Sequence, residues 1–350
     1  MYVMSQFVSL TIKKVIQETP SAVSLVFTIP DNLKDKFNFI PGQFITLKAE
    51  IDGVEIRRAY SLSSSPNEQD IKVSVKKIAN GAFSVYANEH FKAGDRIEVL
   101  FPEGKFQLKE NQSNANYMAF AAGSGITPIM SMVKTVMTQQ QDSKFVLIYG
   151  NKSATETMFF KELLELQTAY PERLFLEFVY SQQSQDGSLS GRIDKSTVNL
   201  MVKDKFQNLS FENFYLCGPE SMIETVKTVL SDNKVDEKNI HFELFTSKST
   251  SAESNAVGNT TITVVLDDEE VEIVADKKLT LLDSVLKEDL DAPYSCKGGV
   301  CCSCICKVIE GEANMPVNNM LTDSEIKEGL VLSCQAYAVS DTLKIDFDDA

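Results

Sequence analysis

The sequence predicts a multidomain fold: an antiparallel β-barrel, then an α/β domain built on a parallel sheet, then a small C-terminal α+β domain. Three observations predict it. Residues 1–108 run as short strands of alternating polarity, at 22–29, 43–49 and 72–75, punctuated by Pro and Gly and with one short helix at 83–89. Residues 109–247 change to apolar strands at 117–121, 145–149, 174–180 and 213–216, alternating with helices that begin near Pro128, Thr155 and Pro219. Residues 260–350 open with strands at 260–266 and 270–275 and a helix at 282–288, followed by a loop dense in cysteine. Between the last two parts, residues 248–259 are polar, small and without hydrophobic period, and read as a linker.

Composition narrows the classes. The 350 residues are 43% apolar and 24% charged, which suits globular domains. No run of 18 apolar residues occurs, so no transmembrane helix is expected, and the N-terminus lacks the basic and apolar regions of a signal peptide. Six of the seven cysteines fall between Cys296 and Cys334, a clustering that argues against a secreted disulfide framework. The expected compartment is the cytoplasm, with neither membrane nor nucleic acid as partner.

Net charge is −15, and residues from Thr260 onward account for −12 of it, with 7 basic against 19 acidic side chains. Solubility is one reading; the other is an acidic surface that steers toward a basic protein partner. Only two histidines occur, His90 and His241, and neither has Glu three residues before it or cysteine beside it. A di-iron carboxylate centre or a Rieske centre on this chain is therefore not expected.

Cys296, Cys301, Cys304 and Cys334 fall as C-x4-C-x2-C with the fourth 30 residues on. This is the plant-type ligand spacing of a [2Fe–2S] cluster, which passes single electrons. Gly298-Gly299 inside the loop let backbone N–H groups turn toward the sulfurs, one of the levers on cluster potential. Structural zinc is the alternative, because Cys301-x2-Cys304 is also a zinc knuckle, although Cys334 lacks a close companion. Cys302 and Cys306 are expected to pack inertly.

Upstream, Arg57-Arg58-Ala59-Tyr60-Ser61 follows Pro41-Gly42-Gln43. A guanidinium can grip a pyrophosphate, and a tyrosine two residues on lies on the same strand face and can cover an aromatic ring. Ser61 can offer its hydroxyl to a ring nitrogen. Gly81-Ala82-Phe83-Ser84 can open a helix whose N–H groups receive a phosphate. Gly123-Ser124-Gly125-Ile126-Thr127-Pro128 follows an apolar strand and precedes a helix, the context for a pyrophosphate; Cys217-Gly218-Pro219 ends another apolar strand.

In this order, Pro41-Gly42-Gln43, Arg58-x-Tyr60-Ser61, Gly81-x-x-Ser84, Gly123-x-Gly125-Ile126-Thr127-Pro128, Cys217-Gly218-Pro219 and Glu243-x-Phe245 resemble the ferredoxin–NADP reductase superfamily. With the C-terminal cysteines, residues from about 7 to 347 resemble its oxygenase reductases. The resemblance implies a flavin-binding barrel, a nicotinamide-nucleotide domain and a β-grasp ferredoxin domain. It implies FAD bound by Arg58, Tyr60 and Ser61, with Val75, Lys76 and Gly81 to Ser84 holding the rest of the dinucleotide. It also implies that Gly123, Ser124, Gly125, Thr127 and Pro128, with Gly218 and Pro219, cradle the nicotinamide nucleotide. Cys217 then lies near the hydride-donating carbon, and Glu243 and Phe245 close the flavin site, Phe245 standing where plant-type reductases have tyrosine.

NADPH is the expected donor and NADH the alternative. Superfamily NADPH users often carry Ser-Arg after the third strand; here Ser181 is followed by Gln182, and Arg192 or Lys152 would supply the charge. A nicotinamide gives two electrons together and a [2Fe–2S] cluster takes one, so the flavin must stand between them. The acceptor implied is a separate oxygenase, first of the di-iron, phenylacetyl-CoA epoxidase type. Rieske-type or ketosteroid oxygenases and desaturases are alternatives, and a non-enzymatic ferredoxin-type carrier or zinc-stabilised module is the rival of another class.

Overall fold

A computed structural model describes residues 7–109, 114–183, 186–245, 258–318 and 320–349. The chain divides into two compact units, one carrying the barrel and the α/β sheet as far as Phe245 and the other the C-terminal domain, with which the short stretch Arg57–Ala59 is grouped. The expected linker falls largely outside the described residues, and its last member, Asn259, already pairs with Asp276 in a strand.

The barrel is built from β1 (Val8–Thr19), β2 (Ala22–Thr28), β3 (Phe44–Ile51), β4 (Val54–Ser61), β5 (Asp70–Lys76) and β6 (Arg96–Val99), in the order β4-β3-β6-β1-β2-β5. A bridge between Leu62 and Val73 brings the two outer strands together. Leu10, Ile12, Leu25, Phe27, Ile45 and Val73 fill the interior, as alternation along the strands requires. Helix α1 (Ala82–Glu89) packs Phe83 and Ala87 into the same core.

The second sheet is wholly parallel: β7 (Asn116–Ala122), β8 (Lys144–Asn151), β9 (Leu174–Tyr180), β10 (Leu189–Ser190), β11 (Asn213–Cys217) and β12 (Ile240–Glu243), in the order β10-β9-β8-β7-β11-β12. Its helices are α2 (Ile126–Gln139), α3 (Phe160–Ala169), α4 (Lys195–Asn199) and α5 (Glu220–Asp232). Strands buried on both faces explain the continuous apolar runs. Helix α2 is buried nearly all round, because one side lies on the sheet and Ser131, Lys134 and Thr135 meet the barrel.

The third helix starts later than the sequence suggests. Residues Ala154–Glu156 form a single 3-10 turn, and the α-helix begins only at Phe160. Phe159, left-handed at φ 59° with its ring buried, breaks the run.

The C-terminal unit carries β13 (Asn259–Leu266), β14 (Glu269–Asp276), β15 (Ile305–Glu310), β17 (Leu330–Leu332) and β19 (Thr342–Asp346) in one sheet, ordered β14-β13-β19-β15-β17. A separate pair is formed by β16 (Ala313–Asn314) and β18 (Tyr337–Ala338). Helices α6 (Leu281–Lys287) and α7 (Asp323–Lys327) are N-capped by Thr280 and Thr322, the latter in a full capping box with Glu325. Ile262, Val264, Leu282, Val285, Leu332 and Ile345 make its core, which Cys306 joins fully buried, in keeping with inert packing.

Candidate functional site

Strand order reverses between β7 and β11, so the C-terminal ends of those two strands flank a topological switch point, where open α/β sheets bind ligands. The turn Gly123–Gly125 leaves β7 and leads into α2, whose N-terminus no side chain caps. Thr127 Oγ1 donates to Ser124 O at 3.1 Å and Tyr149 Oη to Gly123 O at 3.0 Å, fixing the turn from both sides. Pro128 sits in the first turn of α2, where its missing N–H breaks no helical bond. A Cβ on Gly125 would stand 2.1 Å from the Cys217 carbonyl oxygen, so only glycine lets the β7 turn close on the end of β11. Gly218 and Pro219 carry β11 into α5, with Pro219 at its N-cap.

Cys217 and Glu243 are register partners on adjacent parallel strands, both buried. From the barrel, Ser61 Oγ donates to Glu243 Oε2 at 3.3 Å. Burial pushes the Glu243 carboxyl up to about 8, against the opposing pull of Ser61, so it is neutral at pH 7. Burial, with Glu243 adding to it, drives the Cys217 thiol well up. The structure thus brings three residues distant in sequence into one buried cluster whose acidic groups are held toward their neutral forms. Phe245, two residues beyond, is 38% exposed.

On the barrel, Arg58 is exposed and Tyr60 half-buried, alternating with buried Ser61 along β4. Tyr60 packs on Phe83 with ring centroids 5.4 Å apart. Ala82 opens α1 after Gly81, again with no side-chain cap, leaving the first-turn N–H groups for a ligand. The structure adds detail to the expected dinucleotide residues. Val75 and Phe83 point into the barrel core, and the Val75 carbonyl accepts from Asn88 Nδ2, so they support the site and present no side chain to it. The Ser84 hydroxyl is engaged within its own turn, donating to Gly81 O and accepting from Ile78 N.

Lys76, at the end of β5, reaches the Gly123 turn: its Nζ lies 3.8 Å from where a Gly123 Cβ would stand. Burial is the main cause holding its ammonium below the ordinary lysine range, with Glu156 opposing and Lys152 adding to the fall. At the far edge of the sheet, Gln182 and Gln183 donate their N–H groups to Lys152 O, and Ser181 N to Asn151 O. Gly191 N donates to Tyr180 O, which places exposed Arg192 beside the same strand end.

In the C-terminal unit, the four expected cysteines meet as two thiol pairs, Cys296 with Cys301 and Cys304 with Cys334. Cys296 Sγ accepts the Gly298 N–H at 3.2 Å, and Cys334 Sγ accepts from Gln335 Nε2 at 3.5 Å. Gly299, at φ 69°, faces Gln335 so closely that a Cβ would lie 2.7 Å from its Cγ. Among the described residues no three His, Cys, Asp or Glu converge as they would on a single ion. Two pairs of thiols fit a two-iron cluster, which takes two on each iron, better than a mononuclear zinc.

Comparison with known proteins agrees with this arrangement. The family described as "Oxidoreductase FAD-binding domain" matches residues 9–108, "Oxidoreductase NAD-binding domain" residues 120–228, and "2Fe-2S iron-sulfur cluster binding domain" residues 264–339. The chain is 38% identical to a subunit of 1,2-phenylacetyl-CoA epoxidase from Escherichia coli (strain K12), over 99% of each. It belongs to that family of FAD- and [2Fe–2S]-containing reductase components. A second relative, the ferredoxin reductase component of 3-ketosteroid-9-alpha-monooxygenase from Rhodococcus rhodochrous, is 36% identical over 98% of this chain and 97% of its own. Phthalate dioxygenase reductase shares the fold, with a TM-score of 0.62 and 24% identity, over 97% of this chain and 98% of that one. The reductase fold therefore runs through all three parts, and no helix among the described residues is long and apolar enough to cross a membrane.

Both nucleotide cofactors and the cluster fit the residues present: the Gly123–Gly125 turn admits no Cβ at Gly125, α1 and α2 have uncapped N-termini, and the thiols come in pairs. Sequence reasoning missed Tyr149 and Gln335, which brace the turn and the cysteine loop; neither lies in a motif.

Proposed function

We propose that this reductase takes electrons from NADPH, passes them through FAD and a [2Fe–2S] cluster, and delivers them singly to an oxygenase on a separate chain. The observation that carries it is the meeting of Ser61, Cys217 and Glu243 at the switch point, in a chain that also bears two thiol pairs. When bound, the flavin supplies conversion of an electron pair into single electrons. The chain's residues do the rest. Arg58 and the N-terminus of α1 hold the flavin phosphates, and Tyr60 covers the ring system. Cys217 and the Gly123–Gly125 turn set the nicotinamide end of the donor. Glu243 holds a proton on its carboxyl group, whose Oε2 accepts from the Ser61 hydroxyl, a route for the proton that must leave when electrons depart one at a time. Cys296, Cys301, Cys304 and Cys334 hold the two irons. The domain limits proposed with this reading are 1–108, 109–247 and 260–350, with 248–259 linking the last two.

The oxygenase is of the phenylacetyl-CoA epoxidase kind, supported by the 38% identity to a component of that enzyme; the 36% identity to the ketosteroid reductase favours that class as the second reading. Reconstitution decides between them: product formation with one oxygenase and not the other identifies the partner, and turnover with neither rejects both.

Two variants probe the sites. Arg58→Ala is expected to weaken flavin binding about 10- to 100-fold, the worth of a charge-assisted hydrogen bond, read by equilibrium dialysis; a fully flavinated variant contradicts the role. Arg192→Ala should raise KM for NADPH about 10-fold while leaving that for NADH unchanged, if its guanidinium meets the extra phosphate. Equal effects on both nucleotides would remove Arg192 from the specificity site.

A further inference from the structure

The densest charge cluster outside these residues lies where the barrel meets the α/β sheet. Lys134 on α2 is 8% exposed, and its Nζ stands 2.6 Å from Glu162 Oε1 on α3 and 3.1 Å from Glu68 Oε1. Lys72 on β5, 9% exposed, reaches Glu162 Oε2 at 3.0 Å. Glu68 Oε1 also accepts the Ser65 N–H at 2.7 Å. An unbroken chain thus leaves the barrel at Lys72, crosses Glu162 and Lys134 on two helices of the α/β domain, and returns to the barrel at Glu68 and Ser65. Beside it, Ser131 Oγ donates to Ser64 O at 2.6 Å, and the Ser65 and Thr135 hydroxyls lie 3.2 Å apart.

Burying such charges is costly, and apolar residues would join the same faces without that cost. What charges add is direction, since a register slip leaves one of them unpaired. Burial alone would lower the Lys134 ammonium and raise the Glu162 carboxyl, yet the opposite charges outweigh it, Glu162 and Glu68 around Lys134 and Lys72 and Lys134 around Glu162, leaving Lys134 above and Glu162 below their ordinary ranges. The left-handed Phe159 serves the same contact: its ring lies under Lys72 Nζ, 4.8 Å to the centroid, and it starts α3 one turn before Glu162. A left-handed bulky residue is strained, so the surroundings must hold it there.

The hairpin so gripped, residues 62–68, continues directly from Ser61 at the end of β4. We propose that Lys134 and Glu162 are positioning residues that lock this hairpin in register on α2 and α3, and thereby keep Ser61 against Glu243 where the two-electron transfer takes place. The inference rests on the reading that the barrel holds the flavin and the sheet the nicotinamide nucleotide. In that transfer a hydride leaves the nicotinamide, which is oxidised, and enters the flavin, which is reduced; no further reactant is needed.

The test uses the full chain with flavin and cluster bound. Lys134→Met keeps length and removes charge, and Lys134→Arg restores the charge. In the Met variant, amide exchange at Ser65 should quicken and flavin reduction by NADPH should slow by about 10-fold or more, with flavin content and nucleotide affinity unchanged; the Arg variant should recover most of the rate. Wild-type exchange and wild-type reduction in the Met variant would overturn the proposal, as would a defect confined to nucleotide binding. Should Lys134→Met fail to fold, Glu68→Gln cuts the more exposed link and should show the same two changes in smaller degree; their absence again overturns it. A wild-type flavin that neither NADPH nor NADH bleaches defeats the functional reading and this inference with it. A bleached wild type with an equally fast Met variant defeats the inference alone.

Discussion

Cys334→Ser is expected to abolish the cluster's visible absorbance and paramagnetic signal and to cut electron delivery to any protein acceptor to background, while NADPH-to-ferricyanide activity survives. The reasons are local. Cys334 pairs with Cys304, and losing one thiol of a pair leaves one iron short of a ligand that serine, with its far less acidic hydroxyl, replaces poorly. Apart from Arg58, the flavin and nucleotide residues belong to the other compact unit, with a core of its own, and ferricyanide takes electrons from flavin directly. Loss of both activities would show that the two centres do not separate.

Glu243→Gln should have the next largest effect. The amide keeps the shape of the neutral acid but cannot release a proton, so electron transfer out of the flavin is expected to fall about 100-fold, in the range of general acid–base contributions. Stability supplies an independent check. The folded-state value of about 8 lies above the ordinary 4.5, so the folded protein binds the extra proton between those values. This group's contribution is full below pH 4.5 and is lost as pH rises through 8. Glu243→Gln should therefore flatten the fall in unfolding free energy across that window by an amount on the order of a few kcal/mol, and the fall in Tm with it. Parallel Tm profiles for variant and wild type would mean that the carboxyl is ionised at neutral pH.

The parts legible in the sequence are those whose chemistry is local. The cysteine spacing, the uncapped glycine turns at Gly81 and Gly123, and the strand periods depend on residues close in the chain, and the structure arranges them as expected. Contacts between distant segments left no such mark. Nothing in the pattern ties Ser61 to Glu243 except resemblance, and nothing at all ties Lys72, Lys134 and Glu162, which read as ordinary surface charges until α2 and α3 meet the barrel. The delayed start of α3 has the same origin: Phe159 has helical neighbours in sequence, but its ring is held under Lys72 by tertiary packing. Val75 and Phe83 show the converse. They stand inside binding motifs, yet burial assigns their side chains to the barrel core.

Anaerobic titration of the purified protein with NADPH, followed by absorbance and paramagnetic resonance, bears most directly on the claim that one chain carries electrons from nicotinamide through flavin to a two-iron exit. The account predicts flavin and cluster bands that both bleach, with the reduced-cluster signal appearing as they do. A flavin that bleaches while the cluster stays oxidised, or a protein that carries zinc and no iron, would contradict it.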